Sequence, residues 1–151
     1  MRTREVSVGS VVFGGGRPVA FIGGPCVIES EALLRKVGRA LKKASEALKV
    51  GFVLKASYDK ANRTSVKSYR GPGMEEGLSL LAKIGAELGV PVVTDVHEPS
   101  HAAVAARYVD MIQGPAFLSR QTDLLVACGR TGKPVNVKKG QFLAPWDMRH
   151  A

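Results

Sequence analysis

The chain has 151 residues, 45% of them hydrophobic and 23% charged, which suits one globular domain and excludes disorder, collagen-like repeats and a disulfide scaffold. No stretch approaches the roughly 20 apolar residues that span a bilayer, and the charged opening MRTREVSVGS has no apolar signal core, so the expected setting is the cytoplasm, with no membrane partner. Lys and Arg number 22 against 13 Asp and Glu, a formal charge of +9, which predicts anionic ligands.

In chain order, EVSVG and SVVF within residues 5–13 predict a small β-hairpin, after which Gly14-Gly15-Gly16 turns the chain. The apolar run Val19 to Ile22 predicts a strand buried on both faces. Ser30 stands where a helix cap would, and Leu34, Val37, Leu41, Ala44 and Leu48 recur at helical spacing as its apolar face. Arg35, Lys36, Arg39, Lys42 and Lys43 fall largely on the other sides, as a solvated surface would. Further strands are predicted at Phe52 to Leu54, Pro91 to Asp95, Met111 to Gln113 and Val135 to Val137. Helices are predicted over about 74–88, from about Ser100, and over 120–128, with a long loop at 56–73.

Strands alternating with helices predict βαβ units and a parallel sheet. Two closures fit, an open doubly wound sheet and a (β/α)8 barrel. Cys26, Lys55, Asp95, Gln113 and Lys138 all follow strand ends, and barrels build their sites from those ends. The expectation is therefore an α/β fold: a hairpin over 1–16, then 17–151 as the first half of a (β/α)8 barrel, with about five of eight strands.

Lys55, Lys60, Arg63, Lys67, Arg70, Lys138 and Lys139 gather on that rim. Cations converging from distant strands suit a small, multiply charged anion. A nucleic-acid surface would show interleaved aromatics, and only 6% of residues are aromatic. Asn62-Arg63-Thr64-Ser65 adds an amide, a guanidinium and two hydroxyls, a phosphate-gripping set that an ordinary polar loop also matches. Cys26, in Gly-Pro-Cys, suits a soft metal or, more commonly, an inert thiol. Cys128, in an apolar helix, suits the inert thiol. His97 stands at the rim, where it suits either a ligand or an orienting group.

The strings GGPCVIES, KASYDKANRTS, SYRGPG, TDVHEP, QGPAFLSRQTDLL and VNVKKGQFLAPWD resemble, in order and over nearly the whole chain, the 3-deoxy-D-manno-octulosonate 8-phosphate synthases. KANR, at 60–63, departs from the KPRT-like string of the related 3-deoxy-D-arabino-heptulosonate 7-phosphate synthases, the runner-up. The resemblance implies a (β/α)8 barrel with a hairpin across its bottom, usually a tetramer. It implies condensation of phosphoenolpyruvate with D-arabinose 5-phosphate in lipopolysaccharide synthesis. It puts Lys55, Lys60, Lys138 and Gln113 on phosphoenolpyruvate, with Lys60 and Lys138 catalytic. It puts Asn62, Arg63, Thr64, Ser65, Phe117 and Arg120 on the sugar phosphate, Phe117 and Arg120 reaching a neighbouring subunit's site. Cys26 places the sequence in the branch that uses a divalent metal of the Zn, Fe, Mn or Co type. The branch's remaining ligands, a His, a Glu and an Asp, belong to the barrel's second half. The expectation is an N-terminal piece, inactive alone; a non-catalytic phosphate-binding module is the competing class. Gly114 stands where a larger apolar residue is expected.

Overall fold

The computed structural model describes residues 3–151; residues 1 and 2 of the predicted hairpin unit lie outside them. Strands β1 (Val6–Val8) and β2 (Val11–Phe13) pair antiparallel around a two-residue loop, Gly9-Ser10. Five strands follow: β3 (Ala20–Gly23), β4 (Gly51–Lys55), β5 (Val92–Asp95), β6 (Met111–Gly114) and β7 (Val135–Val137). Helices α1 (Glu31–Leu48), α2 (Met74–Leu88), α3 (Pro99–Ala105) and α4 (Thr122–Arg130) connect them. The strands are parallel and lie in sequence order, β3-β4-β5-β6-β7. A doubly wound sheet reverses its order at a switch point; this one does not, and it curls as half of a barrel.

Strand and helix boundaries agree with expectation to within two residues, with two corrections. Helix α4 starts at Thr122, not 120, because a 3-10 turn at Ala116–Leu118 occupies the chain before it. The buried face of α1 is also rotated. Leu34, Gly38 and Ser45 are buried, whereas Ala44 and Leu48 are exposed. A Cβ on Gly38 would lie 2.7 Å from Leu88 Cδ1, so α1 approaches α2 through its glycine rather than along its leucine row. Ser30 Oγ accepts the Leu33 N–H at 3.1 Å and caps α1 as expected.

The interior has two layers. Outside the sheet, Leu34, Leu54, Leu78, Leu81, Ile84, Ile112, Leu124 and Cys128 join strands to helices. Inside, Val53, Val93 and Met111 pack against Val8 and Val11, so the hairpin closes the amino-terminal end of the barrel, as the resemblance implied. Gly114 faces the helix layer. A Cβ there would meet Leu125 Cδ2 at 3.4 Å, an ordinary contact, so Leu125 of α4 fills the space expected for a larger residue. Among the described residues the edge strands are only partly covered, and Val19 and Leu48 are exposed, as an open half-barrel predicts.

Thr94, fully buried on the helix side of β5, has a hydroxyl with no hydrogen-bond partner. Thr94→Val keeps the shape and removes the orphan. The expected result is a stability gain of about 1 kcal/mol, read as a thermal midpoint higher by about 2–4 °C. An unchanged or lower midpoint would show that the hydroxyl is satisfied.

Candidate active site

Along three strands the inward side chain changes character over two residues: Val53 to Lys55, Val93 to Asp95, Met111 to Gln113. A strand's period of two keeps each pair on one face. The lower members form the core over the hairpin, and the upper members form the floor of a site.

Asp95 is the hub of that floor. Its Oδ2 accepts from the Lys55 ammonium at 2.9 Å and from the Ser57 hydroxyl. Its Oδ1 accepts from the Gln113 amide at 2.6 Å, and Gln113 Oε1 accepts from Asn136 at 2.7 Å. Lys55 also donates to Ser57 Oγ at 2.9 Å and to the Cys26 carbonyl at 3.3 Å. Gly24 makes the last contact possible. At φ 149° it presses the chain so close to β4 that a Cβ would stand 1.9 Å from the Lys55 carbonyl oxygen. Burial acts to raise the Asp95 pKa, but the Lys55 charge and the hydrogen bonds from Ser57 and Gln113 prevail and hold it below the usual carboxylate value.

Above this floor opens a cavity of about 450 Å³, lined by Cys26, Lys55, Ser57, Lys60, Asn62, Asp95, His97, Phe117 and Lys138 among others. Lys60 and Lys138 have no ion-pair partner among the described residues. Lys55 lines the cavity too, but its ammonium is paired with Asp95, so its charge is neutralised within the floor. Gln113 is buried below the cavity and reaches it through Asp95. Arg63 is half-buried with an unpartnered Nε. Thr64 and Ser65 are exposed and do not line the cavity. Phe117 stands at its mouth, 65% exposed. Arg120 lies apart, in a cleft with Thr122, Leu125 and Val126.

The loop carrying Lys60 to Arg63 is pinned at its base. Arg70 grips Asp59 through Nε–Oδ1 at 2.8 Å and Nη2–Oδ2 at 2.5 Å, and the Lys60 N–H donates to the Arg70 carbonyl at 2.7 Å. Gly71, at φ 128°, passes so near Tyr58 that a Cβ would sit 2.2 Å from its carbonyl oxygen. Arg70→Ala is expected to leave the thermal midpoint nearly unchanged, since Arg70 itself is exposed. It should speed tryptic cleavage after Lys60, Arg63 and Lys67; an unchanged cleavage rate would show that Arg70 does not hold the loop.

Ser57, Asn136 and the Tyr58–His101 contact were not singled out from sequence. Tyr58 Oη lies 2.9 Å from His101 Nδ1, beside His97. Burial lowers the His97 pKa against the pull of Asp95 and Asp59, so its ring is neutral at neutral pH and its buried Nδ1 lacks a partner. The one signal for Asn136 was a polar residue between two valines of a strand.

Cys26 is an exposed thiol at the rim. No three His, Cys, Asp or Glu side chains converge as a metal site among the described residues. One thiol falls short of the three protein ligands of a catalytic zinc-type site. These residues do not by themselves fit the metal.

A parallel α/β barrel sheet with a cavity at the carboxyl ends of its strands is the arrangement in which barrel enzymes place their active sites. Residues 3–151 match the DAHP synthetase I family, and the chain belongs to that family. Among its relatives is the 2-dehydro-3-deoxyphosphooctonate aldolase of Citrifermentans bemidjiense, 56% identical over 148 residues, 98% of this chain and 54% of that protein. The proteins of the same name from Geobacter sulfurreducens, 55% identical over 148 residues (98% of this chain, 54% of that protein), and Fusobacterium nucleatum, 53% over 146 (97% and 52%), are similar. The chain spans about half the length of these relatives.

Proposed function

We propose that the protein this chain contributes to joins phosphoenolpyruvate to D-arabinose 5-phosphate and water, giving 3-deoxy-D-manno-octulosonate 8-phosphate and inorganic phosphate. The observation that carries the reading is the pair of unpaired lysines, Lys60 and Lys138, on one cavity above a floor whose own charges cancel. A floor already neutral leaves those two ammonium groups to meet the carboxylate and phosphate of phosphoenolpyruvate. Asn62 lines the same cavity, and Arg63, the next residue, lies outside the lining with a buried, unpartnered Nε that is a donor for the sugar's phosphate once the loop turns toward it. The names of the relatives point to the same product.

In the reaction, carbon 3 of phosphoenolpyruvate bonds to the aldehyde carbon of the sugar, whose oxygen takes up a proton. Water adds to carbon 2, and the bond from carbon 2 to the phosphate oxygen breaks. Lys60 and Lys138 offset the charge on phosphoenolpyruvate and on oxygens where charge develops.

The test is phosphate release from phosphoenolpyruvate by these residues continued to the length of the relatives, with divalent metal and after chelation. Release that requires arabinose 5-phosphate is expected, with none from a polypeptide of residues 1–151, whose edge strands β3 and β7 are unpaired. A preference for erythrose 4-phosphate would move the assignment to the heptulosonate reaction. Release with neither sugar would refute the proposal.

A further inference from the structure

Asp95, Gln113 and Asn136 are direct cross-strand neighbours on β5, β6 and β7, and all face the barrel interior. Their hydrogen bonds run in one direction. An ionised carboxylate only accepts, so Asp95 demands the NH₂ end of Gln113. That leaves Gln113 Oε1 turned toward β7, where only a donor satisfies it, and Asn136 supplies one at 2.7 Å. Were Gln113 reversed, its carbonyl would face a carboxylate at a site where Gln113 is 4% and Asp95 7% exposed. Fixing Gln113 fixes Asp95: with Oδ1 engaged, Oδ2 stays turned to Lys55 and Ser57.

We infer that Asn136 is a positioning residue for the anion site, acting on Lys55 through Gln113 and Asp95. Asn136 is absent from the cavity lining, so its influence passes along this chain and not by touching the ligand. Both elements matter: the amide must donate, and Gln113 must be there to receive. The inference rests on the reaction proposed above, since its readout is the affinity for phosphoenolpyruvate. When Asp95 is no longer held against Lys55, the charges of the floor no longer cancel and its carboxylate opposes the anion in ground and transition states alike, which raises KM more than it lowers kcat.

The experiment uses the protein at the length of its relatives. Asn136→Leu keeps the branched shape and removes the donor, and Asn136→Ala removes both. KM for phosphoenolpyruvate is expected to rise about tenfold in each, with a smaller fall in kcat, as befits a lost hydrogen bond to a polar network. Gln113→Ala carries its own loss, and Asn136→Leu added to it should cost nothing more, because the two act as one chain. A space-filling role would make Asn136→Leu resemble the unchanged protein and Asn136→Ala worse; that result overturns the inference. Full additivity with Gln113→Ala overturns it too. Should Asn136→Ala fail to fold, Asn136→Leu with the double variant decides. If the unsubstituted protein releases no phosphate, the proposed reaction itself fails, which is a different result from unequal or additive variants of an active protein.

Discussion

Asp95→Ala is expected to cost the fold about 3–5 kcal/mol, because it strands the Lys55 ammonium in a site only 14% exposed. Removing one partner of a buried ion pair is far worse than replacing both, and here the loss also leaves the Gln113 amide and the Ser57 hydroxyl without their acceptor. In urea unfolding the midpoint should fall, and the thermal midpoint should drop by roughly 10 °C for a domain of this size. The pH dependence follows from the same pair. The folded carboxyl titrates below its ordinary value of 3.8, so its contribution is full above about pH 4 and is lost as pH falls through the lower folded value. Asp95→Ala should therefore flatten the stability curve on the acid side. A variant as stable as the unchanged protein, with the same acid limb, would show that Lys55 and Asp95 do not depend on each other.

Lys60→Ala and Lys138→Ala are expected to do the reverse, sparing the fold and losing the chemistry. Neither lysine has an ion-pair partner among the described residues, and Lys138 is exposed. Thermal midpoints should therefore stay close to that of the unchanged protein. In the protein at the length of its relatives, kcat/KM for phosphoenolpyruvate should fall about 10²–10³-fold for each substitution, the loss typical of one charge-stabilising donor. Lys55→Ala should lose both, since it unpairs Asp95 and leaves an uncompensated carboxylate beneath the anion. Equal activity in Lys138→Ala and the unchanged protein would remove Lys138 from the site.

These contrasts mark where the sequence was informative. The rim itself was legible: cysteine, lysines, aspartate and glutamine each follow a short apolar run, and a strand's period of two then sets the apolar-to-polar change along β4, β5 and β6. Ser30 marked the start of α1 because capping is a local rule. Pairings across strands were not legible. Whether Lys55 meets a ligand or Asp95 depends on its long stem climbing past Val93, its register partner, to a carboxylate two residues on. Asn136 looked like one polar residue in Val-Asn-Val until β7 was set beside β6 with Asn136 opposite Gln113. The face of α1 was read correctly at Leu34 and Leu41 and missed at Gly38 and Ser45 for a related reason. Periodicity counts leucines, whereas close packing turned Gly38 inward and left Leu48 in solvent. The directions of Thr64, Ser65 and Arg120 depend on loop geometry that no local rule sets.

A crystal structure of the protein with phosphoenolpyruvate bound tests the site most directly. Its carboxylate and phosphate oxygens are expected about 2.7–2.9 Å from the ammonium groups of Lys60 and Lys138, above an intact chain from Lys55 through Asp95 and Gln113 to Asn136. Phosphoenolpyruvate bound in another cleft, with this cavity empty and both lysines in solvent, would contradict it.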